Sequence, residues 1–70
     1  MDQQTSLFLV QKHFGGIVLS IEEGEAGCWI VVLKPGKFLV SEVATPEGNI
    51  RIKSVNFEEK EITVVVSDAD

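Results

Sequence analysis

Residues 28–33, CWIVVL, form a run of six consecutive apolar residues, and this run constrains the fold more than any other part of the sequence. Side chains alternate between the two faces of a β-strand, so a strand over 28–34 is apolar on both faces. Both faces must then be covered. The segment 7–14 also has apolar residues at both parities, and we interpret it as a second strand of this kind.

The length of the chain limits how much of this apolar surface it can cover alone. A single domain of 70 residues buries only roughly 60% of the surface of its unfolded chain. One cysteine cannot form an intrachain disulfide, and one cysteine with one histidine cannot supply a zinc site. Association is the remaining common source of stability for so small a domain. We therefore predict a homodimer, although edges and loops of the same chain remain an alternative cover.

The pattern along the chain predicts an all-β fold. Alternating or wholly apolar segments occur at 7–14, 17–22, 28–34, 38–44, 50–57 and 62–67. Polar turns that contain glycine or charged residues separate them, and no window keeps a helical period. Five or six short antiparallel strands of this spacing are typical of a small barrel or sandwich. We predict such a fold, completed by dimerisation, as one domain over residues 1–70 with loose tails at 1–5 and 67–70.

Two details refine the strand assignments. In 50–57 the apolar parity changes near Ser54, because Ile50 and Ile52 share one parity while Val55 and Phe57 share the other. A bulge or a sharp bend at this point would restore one buried face. The KPGK segment at 34–37 has Pro-Gly at its centre, which predicts a turn that pairs 28–34 with 38–44 as a hairpin.

The chemistry-bearing residues are too few for a catalytic or metal site. His13 is the only histidine, and Cys28 lies inside an apolar run where a reactive thiolate is not expected. The acidic residues at 22, 23 and 25 lack the spacing of a calcium loop and are interpreted as a solvated turn. We predict that the protein is not an enzyme and binds no cofactor or metal. The predicted partner interface is formed by Phe8, Val10, Cys28, Trp29, Val31 and Leu33.

The charge of the chain indicates what it binds. A net charge of −5 argues against affinity based on phosphate neutralisation. Lys34, Lys37, Arg51 and Lys53 would form a small basic patch if they converged, or they are ordinary solvated side chains. The N-terminal segment lacks a secretion signal, and no apolar run is long enough for a membrane span. We expect a soluble cytoplasmic protein.

The two ends of the sequence resemble the carbon storage regulator (CsrA/RsmA) family. The resemblance is carried by an L-x-L opening with a following glycine, and later by a Gly-Asn turn, an Arg-Ile strand, a Val-Asn step and a final strand. The matching positions are Leu7, Leu9, Lys12, Gly15, Gly48, Asn49, Arg51, Ile52, Val55, Asn56, Lys60, Glu61, Ile62, Thr63 and Val64. The family implies an intertwined all-β homodimer that binds GGA-containing messenger RNA leaders. The segment 22–37 has no counterpart in short family members.

Two departures put the RNA site of that family in doubt. Family members carry an arginine just after the final strand motif, where this chain has Val65 and Val66, and basic residues in the first strand, where Gln11 and Lys12 stand. Our first hypothesis is therefore a non-catalytic β module that binds or inhibits a protein partner as a homodimer. The alternative is an RNA-binding regulator that uses Lys34, Lys37, Arg51 and Lys53.

Overall fold

The structure is a computed structural model that describes residues 1–38 and 41–69. It contains one helix, five strands and a short 3-10 turn at Glu25–Gly27. The elements in chain order are α1 (Gln3–Phe14), β1 (Ile17–Glu23), β2 (Trp29–Lys34), β3 (Val43–Ala44), β4 (Asn49–Asn56) and β5 (Glu61–Ser67). The strands form one antiparallel sheet in the order β1-β2-β5-β4-β3.

The segment predicted as the first strand is an α-helix, so the all-β prediction is wrong and the fold is mostly β. The Asp2 side chain caps the helix by accepting a 2.7 Å hydrogen bond from the Thr5 N–H. Gly15 follows its last residue with a positive φ of 65°. The four buried residues of α1 have helical spacing, at Ser6, Leu9, Val10 and Phe14. These caps and this spacing outweigh the β-compatible composition of 7–14.

The helix packs against one face of the sheet and forms the core with it. The sheet contributes alternate residues of three strands, as expected for side chains that point to one face. The fully buried apolar residues are Leu9, Val10, Phe14, Val31, Leu33, Ile50, Ile62, Val64 and Val66. One helix on one sheet is thus the two-layer arrangement that buries this face.

The sheet is open, with β1 and β3 at its edges. The prediction of a barrel or a two-sheet sandwich is therefore wrong for the single chain, while the five antiparallel strands are confirmed. The physical reason is that α1 supplies the second layer that another sheet would have supplied. Completion by dimerisation stays a prediction.

The predicted hairpin at 34–37 is also wrong. β2 pairs with β1 and β5, and β3 pairs with β4 instead. The N–H groups of Gly36 and Lys37 donate to the Phe14 carbonyl oxygen at 2.9 and 3.1 Å, so this loop caps the C-terminus of α1. Phe38 then stacks on Phe57, with ring centroids 6.1 Å apart, which carries the chain across to the β4 side. Residues 39 and 40, part of the predicted hairpin arm, lie outside the described residues.

The loop approaches the backbone after the helix closely enough to require glycine. Gly16 has a φ of 80°, and a Cβ atom there would lie 2.0 Å from the Lys34 carbonyl oxygen. This contact joins the start of β1 to the end of β2, beside the C-terminus of α1. The paired glycines at 15 and 16 thus allow the chain to turn from the helix into the sheet.

The predicted bulge in β4 is confirmed. The register between β4 and β5 shifts between Ile52 and Ser54, so that Ile52 lies opposite Val64 and Val55 opposite Ile62. Residues directly opposite each other share a face, and the bulge therefore returns Val55 to the helix side. Phe57 follows the strand and is exposed in the turn.

Both predicted tails contribute to the fold. Residues 3–5 form the first turn of α1, and Ser67 belongs to β5. The Met1 ammonium group lies 2.9 Å from an Asp68 carboxylate oxygen, and the hydrogen bond with Asp68 raises the pKa of this amino group. The Met1 carbonyl oxygen accepts a 2.9 Å hydrogen bond from Trp29 Nε1. The start of the helix is therefore tied to β2 and to the end of β5.

The Asp2 cap makes a pH-dependent contribution to stability. The hydrogen bonds from Thr5 lower the pKa of Asp2 below its usual 3.8. A depressed pKa stabilises the folded state above pH 3.8, and this contribution is lost as the pH falls through the folded-state value. We expect Asp2→Ala to lower the melting temperature by about 5 °C at pH 7, and by much less at pH 2.5. Calorimetry at both pH values, with Gln3→Ala as control, checks this; an equal loss at both would contradict it.

Candidate binding face of the sheet

The face of the sheet opposite α1 is not covered by any described element except the loop between β1 and β2, and we call it the open face. It carries two cross-strand rows of side chains, defined by residues that lie opposite each other on neighbouring strands. The first row is Glu22, Ile30, Val65 and Arg51, and the second is Ser20, Val32, Thr63 and Ser54. Each row runs across β1, β2, β5 and β4.

The middle of the open face is apolar. Ile30, Val32 and Val65 lie on the two central strands and are only half-buried. Ile17, which shares this face at the other end of β1, is 65% exposed. By contrast, Val31 and Val64, the neighbours of these residues on the helix side, are fully buried. β2 is thus apolar on both faces, but only its helix side is buried in the core, and its other side lies at the surface.

The loop between β1 and β2 makes one end of the open face concave. A Cβ atom at Gly24 would lie 3.1 Å from Ile30 Cδ1, so the loop packs directly on this face. Beside it lies a hollow of about 530 Å³. Its lining comprises Gly24, Glu25, Ala26, Cys28, Ile30, Arg51, Lys53 and Val65. A second hollow of about 360 Å³, towards β3, shares Cys28, Arg51 and Val65 with the first.

Charges of opposite sign flank the apolar middle. Glu22 on β1 and Glu25 on its loop lie on one side, and Arg51 and Lys53 on β4 lie on the other. All four side chains are exposed. Within the part of the chain that the structure describes, none of them forms an ion pair within 4 Å. Glu42, which lines the second hollow with Arg51, is likewise unpaired among these residues. The open face therefore has an acidic side and a basic side, each free to meet a complementary charge.

The predicted interface residues lie in different places. Val10, Val31 and Leu33 are fully buried in the core of their own chain and have no surface left for a partner. Trp29 faces the helix side and is half-buried, and its indole N–H is bonded to Met1. Cys28 lines both hollows, whereas Phe8 is 61% exposed on the outer side of α1. Partner contact stays a prediction for Cys28, which borders the open face, and for Phe8, which lies on a separate surface.

The four predicted RNA-binding residues do not all converge. Arg51 and Lys53 line the same hollow. Ile30 is the residue of β2 that shares a row with Arg51. Lys34 lies four residues further along β2, which places it about 13 Å from that row. Lys37 lies in the loop that caps α1. The sequence therefore contained the basic pair at 51 and 53, but it did not show that Glu22 and Arg51 share a row. That fact depends on pairing between strands distant in the chain.

Of the remaining polar candidates, His13 stands apart from the open face, whereas Cys28 lines its two hollows. His13 is in the last turn of α1, and its Nε2 atom is buried without a hydrogen-bond partner among the described residues. Cys28 is a half-buried free thiol. Within residues 1–38 and 41–69, no three His, Cys, Asp or Glu side chains are grouped closely enough to hold a metal ion. The same residues include no helix with the length and hydropathy needed to cross a bilayer.

No family model, curated protein or solved structure matches this chain. The resemblance to the carbon storage regulator family therefore stays a prediction. The strand that it implies at the opening Leu7 and Leu9 is instead part of α1.

Adjacent residues of β5 provide a direct check on which face is covered. Val64→Thr places a hydroxyl group in the core, and we expect it to lower the free energy of unfolding by about 1–3 kcal/mol. Val65→Thr places the same group on the open face, and we expect a loss below about 0.5 kcal/mol. Both substitutions keep a β-branched residue of similar shape in the strand. Urea unfolding of the two variants gives the comparison, and equal losses would contradict an open second face.

Proposed function

We propose that the protein is a non-catalytic interaction module that binds a protein partner through its open face, as a homodimer. The observation that supports this is the apolar, only half-buried middle of that face, formed by Ile30, Val32 and Val65. The helix covers the apolar side chains of the opposite face, and no further described element of the chain covers this one.

The energetics favour an apolar cover for these side chains. Fully burying a valine or isoleucine contributes about 1.5–3 kcal/mol, and these residues are already half-buried. At most about a third of each side chain is exposed, so covering the three of them would contribute roughly 1–2 kcal/mol in total. Ile17 at the end of the face adds to this area. A gain of this size matters to a domain whose own core is a single helix on a single sheet.

A second copy of the chain is the simplest protein partner with a matching surface. Two sheets pack face to face at a distance of about 10 Å, with their inner side chains interdigitating. Stacking two open faces in this way would complete the sandwich that the sequence pattern predicts. It would leave α1 and its exposed Phe8 on the outside of the assembly.

Matched substitutions distinguish the open face from the outer side of the helix. We expect Val32→Glu to abolish concentration-dependent self-association, because it places a charge in the centre of the proposed contact. Phe8→Glu introduces the same charge on the exposed surface of α1, and we expect it to leave association unchanged. Sedimentation equilibrium across a wide concentration range, with circular dichroism to confirm folding, provides the readout. A wild-type protein that is monomeric at every concentration, or a dimer lost only in Phe8→Glu, would argue against the proposal.

RNA binding is the alternative, and the basic pair Arg51 and Lys53 in one hollow is what favours it. If this alternative holds, a hairpin containing GGA is shifted in a gel at low salt, less so at high salt, and not by the variant R51E/K53E. On the proposed function we expect no shift beyond that of a control hairpin, given the net charge of −5. A GGA-selective, salt-sensitive shift would replace the proposal with this alternative.

A further inference from the structure

We propose that two copies associate with a two-fold axis parallel to the strands, midway between β2 and β5. In this orientation the acidic side of one open face, Glu22 and Glu25, lies over the basic side of the other, Arg51 and Lys53. The inference rests on the proposed function, and it adds the geometry and the charge pairs that select this partner.

The first cross-strand row has the order that such an axis requires. Across β1, β2, β5 and β4 it runs acid, apolar, apolar, base, as Glu22, Ile30, Val65 and Arg51. A two-fold axis parallel to the strands reverses this order in the second copy while keeping the row at the same height. Glu22 of one copy then faces Arg51 of the other, and Ile30 faces Val65. Each pair occurs twice, as an isologous interface requires.

The second row is compatible with the same axis. Its order is Ser20, Val32, Thr63 and Ser54. When the second copy reverses this order, Ser20 lies over Ser54 and Val32 lies over Thr63. The two outer members can hydrogen-bond to each other, and the inner two are β-branched side chains of similar size. Neither row places like charges in contact when it is reversed.

The other in-plane axis is disfavoured by charge. A two-fold axis perpendicular to the strands places β1 over β1 and β4 over β4. Where that axis passes through the first row, Glu22 lies over Glu22 and Arg51 over Arg51, and the like-charge repulsion is unfavourable. The unpaired state of all these side chains within the described chain leaves them available for the first orientation.

The hollow on the open face supplies space for the loop of the second copy. The loop of each chain packs on its own Ile30 and leaves the area over Val65, next to Arg51 and Lys53, uncovered. The proposed axis brings the other copy's loop, with Glu25, to this side. The hollow of about 530 Å³ thus lies where a segment of complementary charge arrives.

The area of the face indicates a weak dimer. Four strands spaced about 4.8 Å apart and about 20 Å long give each open face a projected area of roughly 400 Å². Two such faces total about 800 Å², which is below the roughly 1,200 Å² of stable specific interfaces and in the range of weak, transient ones. We therefore expect a monomer–dimer equilibrium that is measurable between micromolar and near-millimolar concentrations of protein.

Charge reversal tests the orientation. The variant E22K/E25K has two basic sides, and the variant R51E/K53E has two acidic sides. We expect the homodimer of each variant to have a dissociation constant about tenfold higher than that of the wild type. An equimolar mixture is expected to form a heterodimer of wild-type affinity, because every opposed pair is then complementary. Native mass spectrometry with one variant isotopically labelled identifies the heterodimer, and sedimentation gives its affinity.

Matched controls carry the same charge changes elsewhere. E58K/E59K lies in the turn after β4, and K12E/K37E lies in the last turn of α1 and in the capping loop. These variants match the test pairs in net charge, and we expect neither altered homodimers nor a preferred heterodimer from them. Equal effects of test and control variants would mean that net charge alone governs association, which would overturn the orientation.

The outcomes separate this inference from the proposed function. If Val32→Glu abolishes the dimer but each charge-reversal variant alone associates as tightly as the wild type, the open face binds in another orientation and this inference is overturned alone. If the wild type never associates, both are overturned. Weakened homodimers of both charge-reversal variants, together with a mixed dimer of wild-type affinity, support both.

Discussion

The packing of α1 against one face of the sheet is the contact on which the rest of the structure depends. Leu9, Val10 and Phe14 lie against alternate residues of β2 and β5, and all of them are fully buried. The Asp2 cap fixes where the helix begins, and the N–H groups of Gly36 and Lys37 satisfy the Phe14 carbonyl oxygen where it ends. The described residues include no second α-helix that could repeat the arrangement on the other face.

This one-sided cover gives the molecule two unlike faces. The helix side is a closed apolar core, whereas the open face combines half-buried apolar residues with opposite charges at its two sides. The sheet order places Glu22 and Arg51 at the ends of one row, with Ile30 and Val65 between them. An apolar centre with complementary flanks favours a specific contact over indiscriminate association, because the charges oppose misaligned pairing.

Strand positions could be predicted from local pattern, and the helix could not. The strands β2, β4 and β5 were expected close to their observed bounds, and the parity change at Ser54 correctly predicted a bulge, since both depend only on period-two alternation. The segment 7–14 was misassigned because its leucine, valine and phenylalanine residues are compatible with either structure. The signals for a helix lie mostly outside segment 7–14. They are the Asp2 cap, the glycine at position 15 and a helical spacing of buried residues that begins at Ser6.

The sequence by itself determined that β2 is apolar on both faces, that the chain is acidic, and that Arg51 and Lys53 lie close together on one strand. Only the tertiary structure decided which face of β2 is core, because that depends on where a helix distant in sequence packs. It also decided that β5, and not the segment after 34–37, lies beside β2. Strand order fixes which side chains share a row, and no local pattern carries that information, since the pairing residues are separated by about half the chain.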